Sequence, residues 1–229
     1  VLSGIMPMAQ IPFWVEEVRS QPNEIGRSAL FTCKNRSTAR EDLKDKVIYS
    51  IGDGVITYRG EELRQFDQTV WMQLVHMGRT QPIESVIEFT SGAFLKEIGC
   101  PANGQYYQRL EKSLSRLTAT KLSVYSNRLK TTISLSMLPY TKCSDKYDAN
   151  GKKTVGRSLW QVKLPPELIR LFSGGHYSRI QWQQRLKLNN EVAQWLHGYY
   201  ATHEKPHPVL LDTIKDACGL RVSGAELRR

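Results

Sequence analysis

Gln105, Gln108, Arg109, Lys112 and Arg116 recur at intervals of three and four residues, the spacing that places side chains on one face of a helix. Amide and guanidinium groups on such a face reach base edges in a DNA major groove, where arginine pairs with guanine and glutamine with adenine. Arg109 and Arg116 are the candidates for guanine, and Gln105 and Gln108 for adenine. Arg109, Lys112 and Arg116 also form a ladder of positive charge for phosphates. Most charged helix faces are merely solvated, so the elements around this one decide between the two readings.

Those elements form a hinge. Phe94 to Ile98 is a short amphipathic run ending at Gly99, a residue able to take the left-handed conformation after a helix. Pro101 blocks continuation, and Asn103 caps the next helix, whose Tyr107, Leu110, Leu114 and Leu117 make an apolar stripe. The same glycine-to-cap spacing recurs at Gly219, Ser223 and Gly224, after the run Thr213 to Cys218, and Ser223 to Glu226 is a capping box. Two hinges of this kind predict two helix-turn-helix units.

The first hinge is followed by alternating segments at Leu122–Val124, Ile133–Met137 and Trp160–Leu164, which read as half-buried antiparallel strands. Between the last two, residues 139–157 carry Lys142, Lys146, Lys152, Lys153 and Arg157, with Asn150-Gly151 as a tight turn. A basic hairpin of this kind neutralises phosphates without reading much sequence. Upstream, residues 29–32, 47–51 and 55–58 read as strands with a hairpin turn at Asp53-Gly54, and a helix is expected from Glu61 to Gly78 through Leu63, Phe66, Val70, Leu74 and Met77. Residues 83–89 form an apolar strand, with Thr90 or Ser91 capping the short helix that follows. Helices follow Pro165-Pro166-Glu167 and carry Leu188, Val192, Trp195, Leu196 and Tyr199. The expected fold class is α+β, as tandem winged-helix domains: an arm or linker over 1–26 with a short helix at 13–18, a first winged helix over 27–164, and a second over 165–229, incomplete at its recognition helix. Beginning at Val1 and ending at Arg229, the sequence reads as a piece of a longer chain.

The 229 residues carry 32 Lys and Arg against 22 Asp and Glu, a net charge of +10. That balance favours a polyanion, nucleic acid first and an anionic membrane second. No apolar stretch is long enough to span a bilayer and none reads as a signal peptide, so a cytoplasmic protein is expected. The four cysteines show no metal or redox spacing and are expected to be reduced and mostly buried. His203-Glu204-Lys205-Pro206-His207 matches a zinc-protease string, but Pro206 and Pro208 deny it the helix that chemistry needs. Gly52-Asp53-Gly54 is a turn rather than a dinucleotide loop, and no nucleotide-triphosphate loop or nucleophile elbow is found. No cofactor and no catalytic residue is expected. Asn35-Arg36-Ser37 fits a glycosylation acceptor only in a secreted chain. Tyr106, Tyr140, Tyr147, Tyr177 and Trp182 could stack on single-stranded bases, although packing is the commoner role of such residues.

Arg27 to Phe31, the hinge from Phe94 to Tyr107, Leu164 to Leu168, and Leu211 to Lys215 resemble plasmid replication initiators of the TrfA type from about Arg27 onward. The resemblance implies two winged-helix domains, binding to double-stranded origin repeats (iterons), opening of an AT-rich region, and recruitment of host initiator, helicase and sliding clamp, without enzymatic activity. It also implies a monomer–dimer equilibrium, contact with single-stranded AT-rich DNA, and no membrane partner. The family's glutamine-led clamp peptide is not found. The candidate DNA contacts are therefore Asn103, Gln105, Tyr106, Gln108, Arg109, Lys112, Arg116, Lys142, Lys146, Lys152, Lys153 and Arg157 in the first unit. In the second they are Lys215, Arg221, Ser223, Arg228 and Arg229. A transcriptional repressor would need the same groove-reading helices and stands as the alternative; a structural protein with a membrane-facing basic surface is a third.

Overall fold

The computed structural model of the chain describes residues 10–52, 54–144, 147, 149–151 and 158–220. In chain order the elements are β1 (Val18–Pro22), α1 (Asn23–Gly26), β2 (Phe31–Thr32), β3 (Asp42–Ile48), β4 (Val55–Glu61), β5 (Leu63–Arg64) and α2 (Gln65–Gly78). Then come β6 (Ile87–Thr90), α3 (Ser91–Glu97), α4 (Gly104–Ala119), β7 (Lys121–Ser126), β8 (Thr131–Leu135), β9 (Tyr140–Ser144) and β10 (Leu159–Lys163). The chain closes with α5 (Leu168–Phe172), β11 (Tyr177–Gln181), α6 (Trp182–Lys187), α7 (Glu191–Tyr200) and α8 (Leu211–Cys218). The fold is mixed α and β.

α2 is the hub. Val70, Trp71, Met72, Leu74 and Val75 are fully buried, and neighbours cover the helix on every side rather than along one stripe. Leu63, expected within the helix, lies instead in β5, paired in parallel with Phe31 of β2. Complete burial obliges the polar residues of α2 to find partners. Gln65 Nε2 donates to the Phe31 carbonyl at 2.7 Å, Gln68 Nε2 to Gln21 Oε1 at 2.7 Å, and Gln73 Oε1 accepts from Arg19 Nε at 2.8 Å. His76 Nδ1 accepts from Trp14 Nε1 at 3.0 Å.

Three of those partners come from residues 10–26, which are not a free arm. Ile11, Trp14 and Val18 are buried, and β1 pairs antiparallel with β11, Val18 opposite Gln181 through Pro22 opposite Tyr177. The short helix expected at 13–18 is absent; a turn precedes β1, and the helix is α1. A partner strand far along the chain is invisible to local periodicity.

Two further sheets flank α4. A three-stranded antiparallel sheet has the order β6-β10-β9, and a four-stranded one the order β3-β4-β7-β8. The alternating segments after α4 therefore separate: β7 and β8 form a hairpin that extends the upstream β3–β4 sheet, while β10 pairs with β6 and β9. β9 occupies residues expected to be loop. Downstream, the single helix expected through Leu188 is two, α6 and α7, broken where Asn190 Oδ1 accepts from the N–H groups of Val192 and Ala193. One continuous apolar cluster runs from Ile11 to Trp182, and a smaller one joins Cys33, Trp195, Tyr199, Ile214, Ala217 and Cys218.

Candidate nucleic-acid interface

The first hinge is built from main-chain geometry. Gly99 has φ +68°; its N–H donates to the Lys96 carbonyl at 3.0 Å and that of Cys100 to the Leu95 carbonyl at 2.8 Å. This double closure satisfies the carbonyls left open at the end of α3. Asn103 Oδ1 then accepts from Tyr106 N at 3.1 Å and starts α4. Thr90 Oγ1 does the same for α3, accepting from Ala93 N. The second hinge repeats the closure: Gly219 has φ +65°, with bonds from Gly219 N to Asp216 O at 3.1 Å and from Leu220 N to Lys215 O at 2.9 Å.

α4 buries Leu110, Ser113, Leu114 and Leu117 and turns the predicted polar face outward, though unequally. Gln105, Gln108 and Lys112 are exposed. Asn103 is exposed but engaged as the cap, and Tyr106 is half-buried. Arg109 lies flat over the Phe66 ring, its Cζ 3.7 Å from the centroid. Burial there lowers its proton affinity below the usual guanidinium range, and Arg36 adds to the effect. Arg116 is half-buried. Its Nη2 and Nε lie 2.9 and 3.2 Å from Oδ1 of Asp67, a fully buried carboxylate. Asp67 also accepts from Ser113 Oγ at 2.7 Å, from Arg40 Nη1 at 2.9 Å, and from Arg64 N at 2.9 Å. The last contact makes it the capping residue of α2 as well. Arg116 thus fastens α4 to α2, with two of its donors engaged on Asp67.

The exposed side of α4 borders a cleft of about 320 Å³, whose opposite wall is the loop between β2 and β3, with Lys34, Arg36 and Arg40. No periodicity points to that wall as a DNA contact; only the tertiary approach of the loop shows it.

The remaining candidates are dispersed. Lys142 is exposed on β9 opposite Gln161. Lys215, on α8, pairs with Asp212 at 3.3 Å. Lys146, Lys152, Lys153, Arg157, Arg221, Ser223, Arg228 and Arg229 lie outside the described residues. Of the aromatics, Trp182 is buried, its Nε1 donating to the Glu97 carbonyl at 3.0 Å. Tyr177 packs on Trp14 and Phe172. Neither is a stacking platform. Tyr147 is 62% exposed and Tyr140 38%. Cys33 and Cys218 are buried, Cys100 is half-buried and Cys143 is exposed. His203 to His207 forms no helix, and among the described residues no cluster of three metal-ligating side chains occurs. No helix among them is long and apolar enough to cross a membrane.

The overall fold is shared with a crystal structure of domains 2 and 3 of RctB at a TM-score of 0.61, with 14% identity, covering 91% of this chain and 81% of that one. A second crystal structure of RctB domains 2–3 gives 0.55, with 14% identity, covering 84% and 74%. In sequence, the chain is 37% identical over 208 residues to the plasmid replication initiator protein TrfA of Escherichia coli, covering 90% of this chain and 52% of that protein. The chain therefore spans about half the length of that relative. The family model for TrfA protein matches residues 5–226, and the chain belongs to the TrfA protein family.

Proposed function

We propose that the chain is the DNA-binding part of a plasmid replication initiator and that α4 reads origin repeats in the major groove. The observation that carries this reading is the exposed row Gln105, Gln108 and Lys112 on a helix fixed by a capped hinge, in a chain of net charge +10. Amides supply base discrimination and lysine supplies phosphate attraction. α2, β6, α3, α4, β9 and β10 follow the helix, strand, helix, helix, hairpin order of a winged helix; most of the basic segment 145–157 between β9 and β10 lies outside the described residues. The four-stranded sheet is an addition to that unit. β11, α6, α7 and α8, together with β1, begin the second unit, so the division proposed at 164/165 leaves the N-terminal strand with the C-terminal unit.

Mechanistically, contacts across adjacent repeats would pay the cost of bending or untwisting DNA, helping an AT-rich segment to open. Host initiator, helicase and sliding clamp would then be recruited to the opened origin, a role that belongs to the cytoplasm. Binding energy alone drives this scheme, and no hydrolysis is assigned to the chain.

The test is a gel-shift titration against direct repeats, an inverted repeat and poly-dT over a salt series. Preference for direct repeats with monomer stoichiometry is expected. Preference for the inverted repeat with obligate dimer binding would replace the initiator with a repressor.

A further inference from the structure

The tripeptide Asn35-Arg36-Ser37 forms the tip of the loop between β2 and β3, which the structure holds rigidly. Buried Arg64 donates from Nη1 to the Asn35 carbonyl at 2.7 Å and from Nη2 to the Thr38 carbonyl at 2.8 Å. Asn35 Oδ1 accepts from Ser37 N at 3.1 Å, and Thr38 N donates to the Asn35 carbonyl at 3.1 Å, closing a turn at the tip. Of the three loop cations, two are engaged: Lys34 on Glu41 and Glu62, and Arg40 on Asp67. Arg36 is exposed and has no acidic partner within ion-pair distance among the described residues.

Arg36 shares the cleft with Arg109, which likewise has no carboxylate partner there; Glu191, on the same wall, pairs with neither. Like charges are ordinarily kept apart or bridged by a carboxylate. Here one guanidinium is held on a braced loop and the other on the Phe66 ring, and burial first, with the charge of Arg36 second, lowers the proton affinity of Arg109. The loop is also tied to the second hinge: Cys33 N donates to the Cys218 carbonyl at 2.8 Å, and Thr32 packs against Gly219.

We propose that Arg36 and Arg109 grip one phosphodiester of duplex DNA, making the β2–β3 loop a sequence-blind backbone clamp between the two hinges. This rests on the DNA-binding reading of α4 and adds a contact site on a different element. The loop would hold the backbone strand that runs from the groove occupied by α4 toward the second unit.

The experiment compares the wild-type chain with Arg36→Ala and Arg36→Glu on a direct-repeat duplex and on an unrelated duplex of equal length, across a potassium chloride series. The Arg36 side chain makes no hydrogen bond among the described residues, so both variants should keep the wild-type thermal midpoint. Arg36→Ala is expected to weaken both duplexes by the same factor and to reduce the slope of log K against log salt by about 0.9, the value of one phosphate contact; Arg36→Glu should weaken both further. A series of duplexes with single methylphosphonates should contain one position that weakens the wild type but not Arg36→Ala. Unchanged slope and affinity in Arg36→Ala, or a loss confined to the repeat duplex, would overturn the clamp. A wild type that binds both duplexes equally would instead overturn repeat recognition, while the slope on either duplex would still decide the clamp.

Discussion

Arg116 and Gln108 lie on one predicted face yet do different work, because a buried carboxylate claims the arginine. Removing Arg116 strips two donors from Asp67 while Arg40, Ser113 and the Arg64 amide remain. Arg116→Ala should therefore cost about 2 kcal/mol of folding stability, below the usual penalty for an abandoned buried charge, as read by urea denaturation. Its DNA affinity per folded molecule should be unchanged. Gln105→Ala and Gln108→Ala should do the reverse, leaving stability intact and reducing discrimination between repeat and non-repeat DNA by roughly 1 to 3 kcal/mol; equal loss on both DNAs would remove these amides from base readout. A third residue-scale effect is pH dependence. His76 is buried and its pKa falls to about 4, chiefly by desolvation, while Glu16, accepting from His76 and Arg79, falls to about 2. The unfolded chain binds more protons at both positions. Stability should decline as pH falls from about 6.5 toward 4 through His76, and further below about 4.5 through Glu16. His76→Gln, able to serve both Trp14 and Glu16, should flatten the first part of that decline in pH-dependent thermal melts.

At the scale of elements, the two hinges share one closure but not one environment. A Cβ on Gly99 would sit 3.4 Å from Leu186 Cδ1, ordinary contact, whereas one on Gly219 would come within 2.9 Å of Thr32 Cγ2. Gly99→Ala should cost roughly 1 kcal/mol for its positive φ alone, and Gly219→Ala more. Thr32→Ser removes the obstructing methyl and should recover the excess in Gly219→Ala but nothing in Gly99→Ala. The first hinge with its cap at Asn103, and the helix closure at Gly219, were legible in the sequence because each depends on residues within one turn of its neighbours. α3, α4 and β4 were legible for the same reason, whereas β3 runs Asp42–Ile48 rather than over the expected 47–51. β1 and the separation of β7–β8 from β10 were not, since each is decided by a partner strand distant in the chain. The contact of Arg116 with Asp67 was not legible either, since its periodicity matches Gln105 and Gln108 and cannot show Asp67 arriving from α2.

At the scale of the whole molecule, the two proposed units meet through buried polar contacts rather than a flexible linker. Arg185 of α6 is fully buried; its Nη1 donates to the Gln194 carbonyl at 2.7 Å, and its Nη2 to Gln65 Oε1 and Gln68 Oε1 at 3.0 Å each. Burial without a carboxylate lowers its pKa to about 10, still far above neutrality, so the bridge stays charged. Arg27 adds a bond from Nη2 to the Thr202 carbonyl at 2.6 Å, and β1 closes onto β11. If the proposed units both read DNA, such a seam would set the spacing at which they engage successive grooves of one repeat. If the seam sets that distance, α7 and α8 should exchange their amide hydrogens no faster than α2 in the wild type. Arg185→Ala leaves three oxygens without their donor and should cost roughly 2 to 4 kcal/mol. Hydrogen-exchange mass spectrometry should then show α7 and α8 opening before α2, with loss of repeat affinity even where α4 remains protected. Simultaneous opening of all three helices in Arg185→Ala would mean that the apolar core alone couples the units.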